Sequence, residues 1–147
     1  MNTLTAPVAD PMARPGPRVT LWLLRGVTTL FLLAVLAQPV LAGMYLSGEW
    51  DALAVHSANA GIVILLALVA AAAALLYWLF GRGRFWPLPV TIAGFLAAGF
   101  QTGFGYERRL ALHIPLGVAI VMLAVLLAIG VWRSGARRPR RPLWGAR

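Results

Sequence analysis

Leu53-Ala54-Val55-His56 and Leu110-Ala111-Leu112-His113 carry the same four-residue pattern, each at the start of a long apolar run. These segments contain the only two histidines of the chain. The rest of the sequence predicts a helical scaffold that brings both histidines to one depth in a membrane.

The apolar composition places the chain among integral membrane proteins. Of its 147 residues, 61% are hydrophobic and 12% are charged, and the mean hydropathy is +0.80. These values lie outside the range of a soluble globular domain. Apolar runs of about 20 residues recur, and each can cross about 30 Å of hydrocarbon as a helix that rises about 1.5 Å per residue. We therefore predict an all-α fold, a four-transmembrane-helix bundle with up-down-up-down topology.

Proline, glycine and charge mark the boundaries. Residues 1–18 contain four prolines, which indicates a disordered N-terminal tail. A transmembrane domain at 19–132 follows, and the tail at 133–147 is rich in arginine and proline. The four spans are expected at about residues 19–44, 52–80, 87–106 and 110–132. A secretory signal peptide that ends at Val40-Leu41-Ala42 is the alternative interpretation of the first span.

The distribution of arginine predicts the orientation. With the N-terminus inside, eleven of the 13 arginines lie on the inner side, so the positive-inside rule places both tails in the cytoplasm. The predicted location is the bacterial cytoplasmic (inner) membrane. Arg25 lies one or two turns inside the first span and is expected to snorkel back to the headgroups. The sequence pI is about 11.8, but the charge lies in flanking segments without interleaved aromatic residues, so nucleic acid is not an expected partner.

Each half of the chain is predicted to form a helical hairpin that passes a glutamine on the way out and a histidine on the way back. Gln38 precedes His56 in the first half, and Gln101 precedes His113 in the second. The chain is therefore predicted to be a duplicated hairpin, an internal repeat. The two histidines lie 22 and 19 residues before the tryptophans at the inner ends of their spans. They are thus expected within about one helical turn of the same height, near the outer face, on helices that lie diagonally across the bundle.

Two histidines at matched height suit a flat macrocycle whose iron takes one imidazole from each side, so His56 and His113 are the candidate metal ligands. Other residues of the candidate site have an alternative role. Arg108 and Arg109 would bind haem propionates, or would pair with Glu107 or lipid phosphate. The further candidates are small or polar residues of the same helices: Gln38, Asn59, Gly61, Gln101 and Gly117. The glycines also suit ordinary helix packing, and the glutamines would bond each other, a histidine or a quinone carbonyl.

The arrangement of the histidines resembles that of known families. A four-span unit with a histidine at the outer end of its second and fourth helices resembles one half of a haem A synthase-type membrane protein and, more loosely, cytochrome b561-type bundles. More closely, residues 20–132 resemble a small, uncharacterised family of four-span bacterial integral membrane proteins, which implies no activity. The segments that carry this closer resemblance are the Leu-Ala-x-His pair, Gln38-Pro39-Val40-Leu41-Ala42-Gly43 and Gln101-Thr102-Gly103-Phe104-Gly105-Tyr106.

The synthase-type resemblance implies axial ligation by His56 and His113 alone. Leu53 stands where the synthase type has a glutamate, and Ser57 stands where it has an arginine. The resemblance therefore does not extend to haem hydroxylation.

Two functional hypotheses follow. The first is a membrane protein that binds haem b through two histidines and passes single electrons to or from a quinone or another membrane redox protein. The second is a cofactor-free bundle that acts as an assembly or regulatory subunit of another membrane complex, with histidines that bond the nearby amides or sense external pH. Enzymatic activity and a homo-oligomer stay open at this point.

Overall fold

A computed structural model of the chain describes residues 18–137. The helices are α1 (Arg18–Leu46), α2 (Ala52–Leu79), α3 (Pro87–Tyr106) and α4 (Leu110–Trp132), followed by a short 3-10 turn at Ser134–Arg137. Within this part of the chain there is no strand, and all four helices are long and apolar enough to cross a membrane. The prediction of an all-α, multi-pass membrane protein is confirmed. Of the tails predicted at residues 1–18 and 133–147, residues 1–17 and 138–147 lie outside the described residues, while Arg18 begins α1 and Ser134–Arg137 form the 3-10 turn.

The helices begin and end within two residues of the predicted spans. Pro39 lies inside α1 and Pro115 inside α4 without ending either helix. An interior proline is tolerated in a membrane helix because neighbouring groups bond the carbonyl that it leaves free. Pro115 is also only the sixth residue of α4, where few hydrogen bonds are lost.

The four helices pack as a square in chain order. Helix α1 packs against α2 and α4, and helix α3 packs against the same two helices. Helices α2 and α4 therefore face each other across a diagonal, as the up-down-up-down prediction requires. We call the end of the bundle with the turns at 47–51 and 107–109 the histidine end, and the opposite end, with the turn at 80–86, the arginine end.

The two hairpins close with the same type of turn. At the end of α1, the N–H groups of Gly48 and Glu49 donate to carbonyls three and five residues earlier, and at the end of α3 the N–H groups of Arg108 and Arg109 do the same. Gly48 and Arg108 both have left-handed backbones, with φ of 102° and 55°. This pairing is the Schellman motif. This cap is common at helix C-termini, so the duplication stays a prediction.

The hydrophobic core fills only part of the bundle. A cluster at the arginine end contains Leu21, Leu24, Ala73, Ala74, Tyr77, Leu127, Val131 and Ala136. A second cluster at mid-height contains Phe31, Val35, Val63, Ala67, Ala98, Ile120 and Ala124. Beyond it, across residues 36–62 and 99–119, Ala52 is the only buried residue. The histidine end therefore has almost no core of its own.

Candidate cofactor site at the histidine pair

The structure brings the two histidines together across the diagonal of the bundle. His56 projects from the second turn of α2 and His113 from the first turn of α4. Their ring centroids are 6.3 Å apart and the ring planes are inclined by 57°. Both side chains are half-buried. The two histidines therefore lie at the same height, as predicted, and their rings are close to each other.

Each histidine is oriented by a glutamine of the preceding helix. His56 Nδ1 lies 3.2 Å from the carbonyl oxygen of Gln38, and His113 Nδ1 lies 2.8 Å from the carbonyl oxygen of Gln101. His56 Nδ1 faces both a carbonyl oxygen and the Gln38 side-chain amide. A carbonyl only accepts, so the His113 contact places the ring proton on Nδ1 and the lone pair on Nε2. This arrangement is typical of histidines that ligate a metal through Nε2. In each hairpin, the backbone carbonyl of the predicted glutamine contacts the histidine ring.

The glutamine side chains also contact the histidines. With its amide nitrogen toward α2, Gln38 lies 3.1 Å from His56 Nδ1 and 3.2 Å from the His56 carbonyl oxygen. The Gln101 amide nitrogen lies 3.4 Å from His113 Nε2, while its buried Oε1 has no hydrogen-bond partner among the described residues. Each imidazole therefore has a glutamine amide as a polar neighbour, in addition to the other imidazole.

Two glycines allow the close approach of α3 and α4. A Cβ atom at Gly105 would lie 2.9 Å from Cε1 of His113, and one at Gly117 would lie 2.8 Å from the Gln101 amide nitrogen. Gly117 was predicted as a site residue. It makes room for the Gln101 amide and not for a histidine ring. Gly105 is an addition that the sequence pattern did not single out. Gly61 is not brought to the pair, because its Cβ would face open space.

The remaining polar residues link the helices around the pair. The Asn59 amide donates to the carbonyl oxygen of Ala34 at 2.8 Å, which ties α2 to α1. The hydroxyls of Ser57 and Tyr106 are 2.9 Å apart and tie α2 to the end of α3. Sequence reasoning placed Asn59 on the histidine face but missed the Ser57–Tyr106 contact, because a hydroxyl pair across two helices has no spacing signature.

The two arginines of the turn at 107–109 lie at the surface. Arg109 pairs with Glu107 at 3.5 Å, with exposed side-chain fractions of 60% and 61%. This is the ion pair that was the alternative to propionate binding, and such an exposed pair stabilises a protein by only about 0–1 kcal/mol. Arg108 is exposed and its side chain makes no hydrogen bond or ion pair with the described residues.

The prediction for Arg25 is wrong. Its side chain is 1% exposed, and it donates to the carbonyl oxygens of Val131 (3.1 Å) and Trp132 (3.4 Å) at the end of α4. The guanidinium lies 5.0 and 4.9 Å from the ring centroids of Trp22 and Trp132. These helix-terminal carbonyls have no partner within α4 and carry partial negative charge. They accept hydrogen bonds from the guanidinium and hold Arg25 inside the bundle.

The donor set of the site is small. Among residues 18–137 there is no cluster of three or more His, Cys, Asp or Glu side chains. The pair of imidazoles is thus smaller than the three-residue groups that commonly bind a metal ion.

The fold and the site define a multi-pass four-helix membrane protein with a pair of histidines across one end of the bundle. A comparison of the chain with known protein families, with curated proteins and with solved structures finds no match.

The approach of His113 to Gly105 predicts a position-specific effect of alanine. Gly105→Ala should lower the free energy of unfolding by about 1–3 kcal/mol, the usual cost of an overpacked contact, because the new methyl group would displace the His113 ring. Gly103→Ala is the matched control on the same helix, since its Cβ would meet nothing within 4 Å. Thermal unfolding in detergent, followed by helical circular dichroism, measures both. Equal unfolding temperatures for the two variants would contradict the contact.

Proposed function

We propose that this protein is a membrane protein that binds haem b, with His56 and His113 as its two axial ligands, and that it transfers single electrons. The observation that carries the proposal is the ring separation of 6.3 Å. Two imidazole nitrogens on opposite sides of one metal ion are about 4 Å apart, twice a metal–imidazole bond of about 2 Å, and each ring centroid lies about 1 Å further out. The sum is about 6 Å.

The residues around the pair fit the group in two further respects. Both Nδ1 atoms lie against carbonyl oxygens, and a ring proton on Nδ1 would direct each Nε2 lone pair to the metal once the Gln101 amide turns away from His113 Nε2. The histidine end also lacks the packed core that fills the rest of the bundle. A planar macrocycle would supply apolar surface there, as side chains do in the two core clusters.

Ligation by two imidazoles favours electron transfer over oxygen chemistry. When bound, the haem would supply a one-electron redox centre with both axial positions filled. The protein's own residues hold the imidazoles through the Gln38 and Gln101 carbonyls and surround them with apolar helices. A quinol or another membrane redox protein at the histidine end is the proposed electron partner. The positive-inside rule places this end at the outer face of a bacterial inner membrane.

An absorbance spectrum tests the proposal. The full chain is expressed with a supply of haem, purified in detergent, and measured first air-oxidised and then reduced with dithionite. We expect the sharp reduced bands of a low-spin, six-coordinate haem at about one haem per chain. A featureless spectrum from folded protein would overturn the proposal.

A cofactor-free bundle that assists or regulates another membrane complex is the second candidate. The Gln38 amide favours it, because in the orientation that satisfies Ala60 N–H it donates to His56 Nδ1. That contact would put the proton of His56 on Nε2, where it would block ligation. Capture of a membrane complex by the apoprotein, with no haem bound, would support this candidate.

The two surface arginines are proposed to anchor the haem propionates. Arg108 is exposed beside the site without a partner among the described residues. Its guanidinium is therefore free to bind a propionate carboxylate through charge-assisted hydrogen bonds. Arg108→Ala combined with Arg109→Ala should weaken haem retention by roughly tenfold, the effect of a lost interaction of about 1.4 kcal/mol. Haem loss to an excess of apomyoglobin measures it.

The control for this pair is Arg82→Ala combined with Arg84→Ala in the turn at the arginine end, which should leave haem retention unchanged. If the double variant at 108 and 109 also retains haem normally, these arginines serve topology or lipid contact instead.

A further inference from the structure

A groove lies on the outside of the bundle between α3 and α4, toward the arginine end. Its volume is about 420 Å³. Its lining consists of apolar and aromatic side chains, among them Trp86, Val90, Ala119, Met122, Leu123 and Leu126. From Ala119 to Leu127 the groove follows α4 for about 12 Å, at about 1.5 Å per residue. The groove is thus hydrophobic and runs along α4.

One end of the groove is formed by the Trp86 side chain. Its ring folds across α4 at Gly130, where a Cβ atom would lie 2.5 Å from the ring carbon Cη2. Any side chain at position 130 would push the indole outward. The wall of the groove therefore depends on the absence of a side chain at that position.

Charge is distributed unequally between the two ends of the bundle. Arg84 lies two residues before Trp86, and Arg133 follows the last residue of α4, so both exposed arginines lie at the arginine end of the bundle. Nη1 of Arg84 lies 3.6 Å from the position of a Cβ atom at Gly135, two residues after Arg133. The acids of the described part, Glu49, Asp51 and Glu107, all lie in or beside the turns of the histidine end. Within residues 18–137, the arginines of the groove rim therefore have no carboxylate at their own end.

Arg25, which is buried at the same end, adds to the positive charge there. Arg25 already donates to the last carbonyls of α4, and Arg137 is a like charge in its surroundings. By holding the end of α4, Arg25 fixes the position at which Arg133 leaves the helix. The rim of the groove is thus both cationic and ordered by a buried contact.

We propose that this groove binds an anionic phospholipid, with one acyl chain between α3 and α4 and the headgroup phosphate on Arg84 and Arg133. The groove matches an acyl chain in its apolar lining and in its direction. The two guanidinium groups match a phosphate diester, which arginine binds through charge-assisted hydrogen bonds. A lipid with net negative charge is favoured over a zwitterionic one because no carboxylate at this end offsets the rim charge.

Native mass spectrometry of the full chain, delipidated in a neutral detergent, tests the proposal. Phosphatidylglycerol and phosphatidylcholine with identical acyl chains are the two probes. We expect one phosphatidylglycerol to bind roughly thirtyfold more tightly than phosphatidylcholine, from about 1 kcal/mol for each arginine. Arg84→Ala combined with Arg133→Ala should remove this preference, and Ala119→Phe, which fills the groove, should weaken both lipids.

The variant with Arg108→Ala and Arg109→Ala is the matched control, because it removes two surface arginines from the opposite end. This control variant should keep the preference for phosphatidylglycerol. If it loses as much of that preference as the variant with Arg84→Ala and Arg133→Ala, the lipid is attracted by net charge alone and the site is overturned. Equal binding of both lipids by the unaltered protein would also overturn it. A dimer in lipid-free detergent that Ala119→Phe dissociates would assign the groove to a second copy instead. Circular dichroism establishes that each variant is folded.

Discussion

We expect that replacing either His56 or His113 with alanine will abolish the reduced-minus-oxidised absorbance of the proposed haem while the protein remains in the membrane. The reason is that the two imidazoles, with centroids 6.3 Å apart, would be the axial ligands of the proposed site, and one of them alone could not hold a six-coordinate iron. Membrane integration should survive, because neither histidine belongs to the two core clusters. The spectrum of each purified variant, normalised to protein, measures the loss.

Ser57→Ala is the matched control for the histidine variants. It alters the residue next to His56 and removes only the hydroxyl contact with Tyr106, so the haem signal should persist. Free imidazole added to His113→Ala should restore part of the low-spin spectrum by entering the space that the side chain leaves. Retention of an unaltered spectrum in both alanine variants would refute ligation by this pair.

Arg25→Ala should lower the free energy of unfolding by about 2–4 kcal/mol. The substitution leaves the carbonyl oxygens of Val131 and Trp132 without their donor, at about 1–3 kcal/mol for an unpaired buried group. It also removes the cation that lies 5.0 and 4.9 Å from the ring centroids of Trp22 and Trp132, and such contacts are worth about 0.5–2 kcal/mol each. The variant no longer pays for the desolvation of a buried guanidinium, so the net destabilisation is smaller than the sum of these terms. Thermal unfolding in detergent measures the net effect.

Two substitutions separate the charge from its geometry. Arg25→Lys keeps the charge but loses the planar fork that reaches both carbonyls, so it should recover only part of the stability. Arg108→Ala removes an exposed arginine and should change the unfolding temperature little. If Arg25→Ala is as stable as the unaltered protein, the buried contact makes no net contribution to folding.

Much of the fold could be predicted from the sequence because membrane spans depend on length and composition. An apolar run of about 20 residues has few alternatives to a transmembrane helix, since every backbone group in hydrocarbon needs an internal partner. The short turns at 47–51 and 107–109 allow only antiparallel neighbours. The diagonal placement of α2 and α4 follows from that order and is what the structure shows.

The candidate site was predictable at the level of its central residues. Gln38 with His56 and Gln101 with His113 recur in the same order in both halves, and a repeat of polar residues in apolar helices is easily seen. The atoms in contact were not predictable. The glutamines act on the rings through backbone carbonyls, which every residue possesses and no sequence pattern reveals.

The sequence by itself determined the class of this protein, its four spans, the order of their packing and the shared depth of its two histidines. These properties depend on hydropathy and spacing, which are local and additive along the chain. Only the tertiary structure decided that Arg25 bonds the end of α4, that Gly105 admits the ring of His113, and that the packed core stops short of the histidine end. Such features depend on helix rotation and on distances between segments remote in the chain. They arise from the packing of all four helices together.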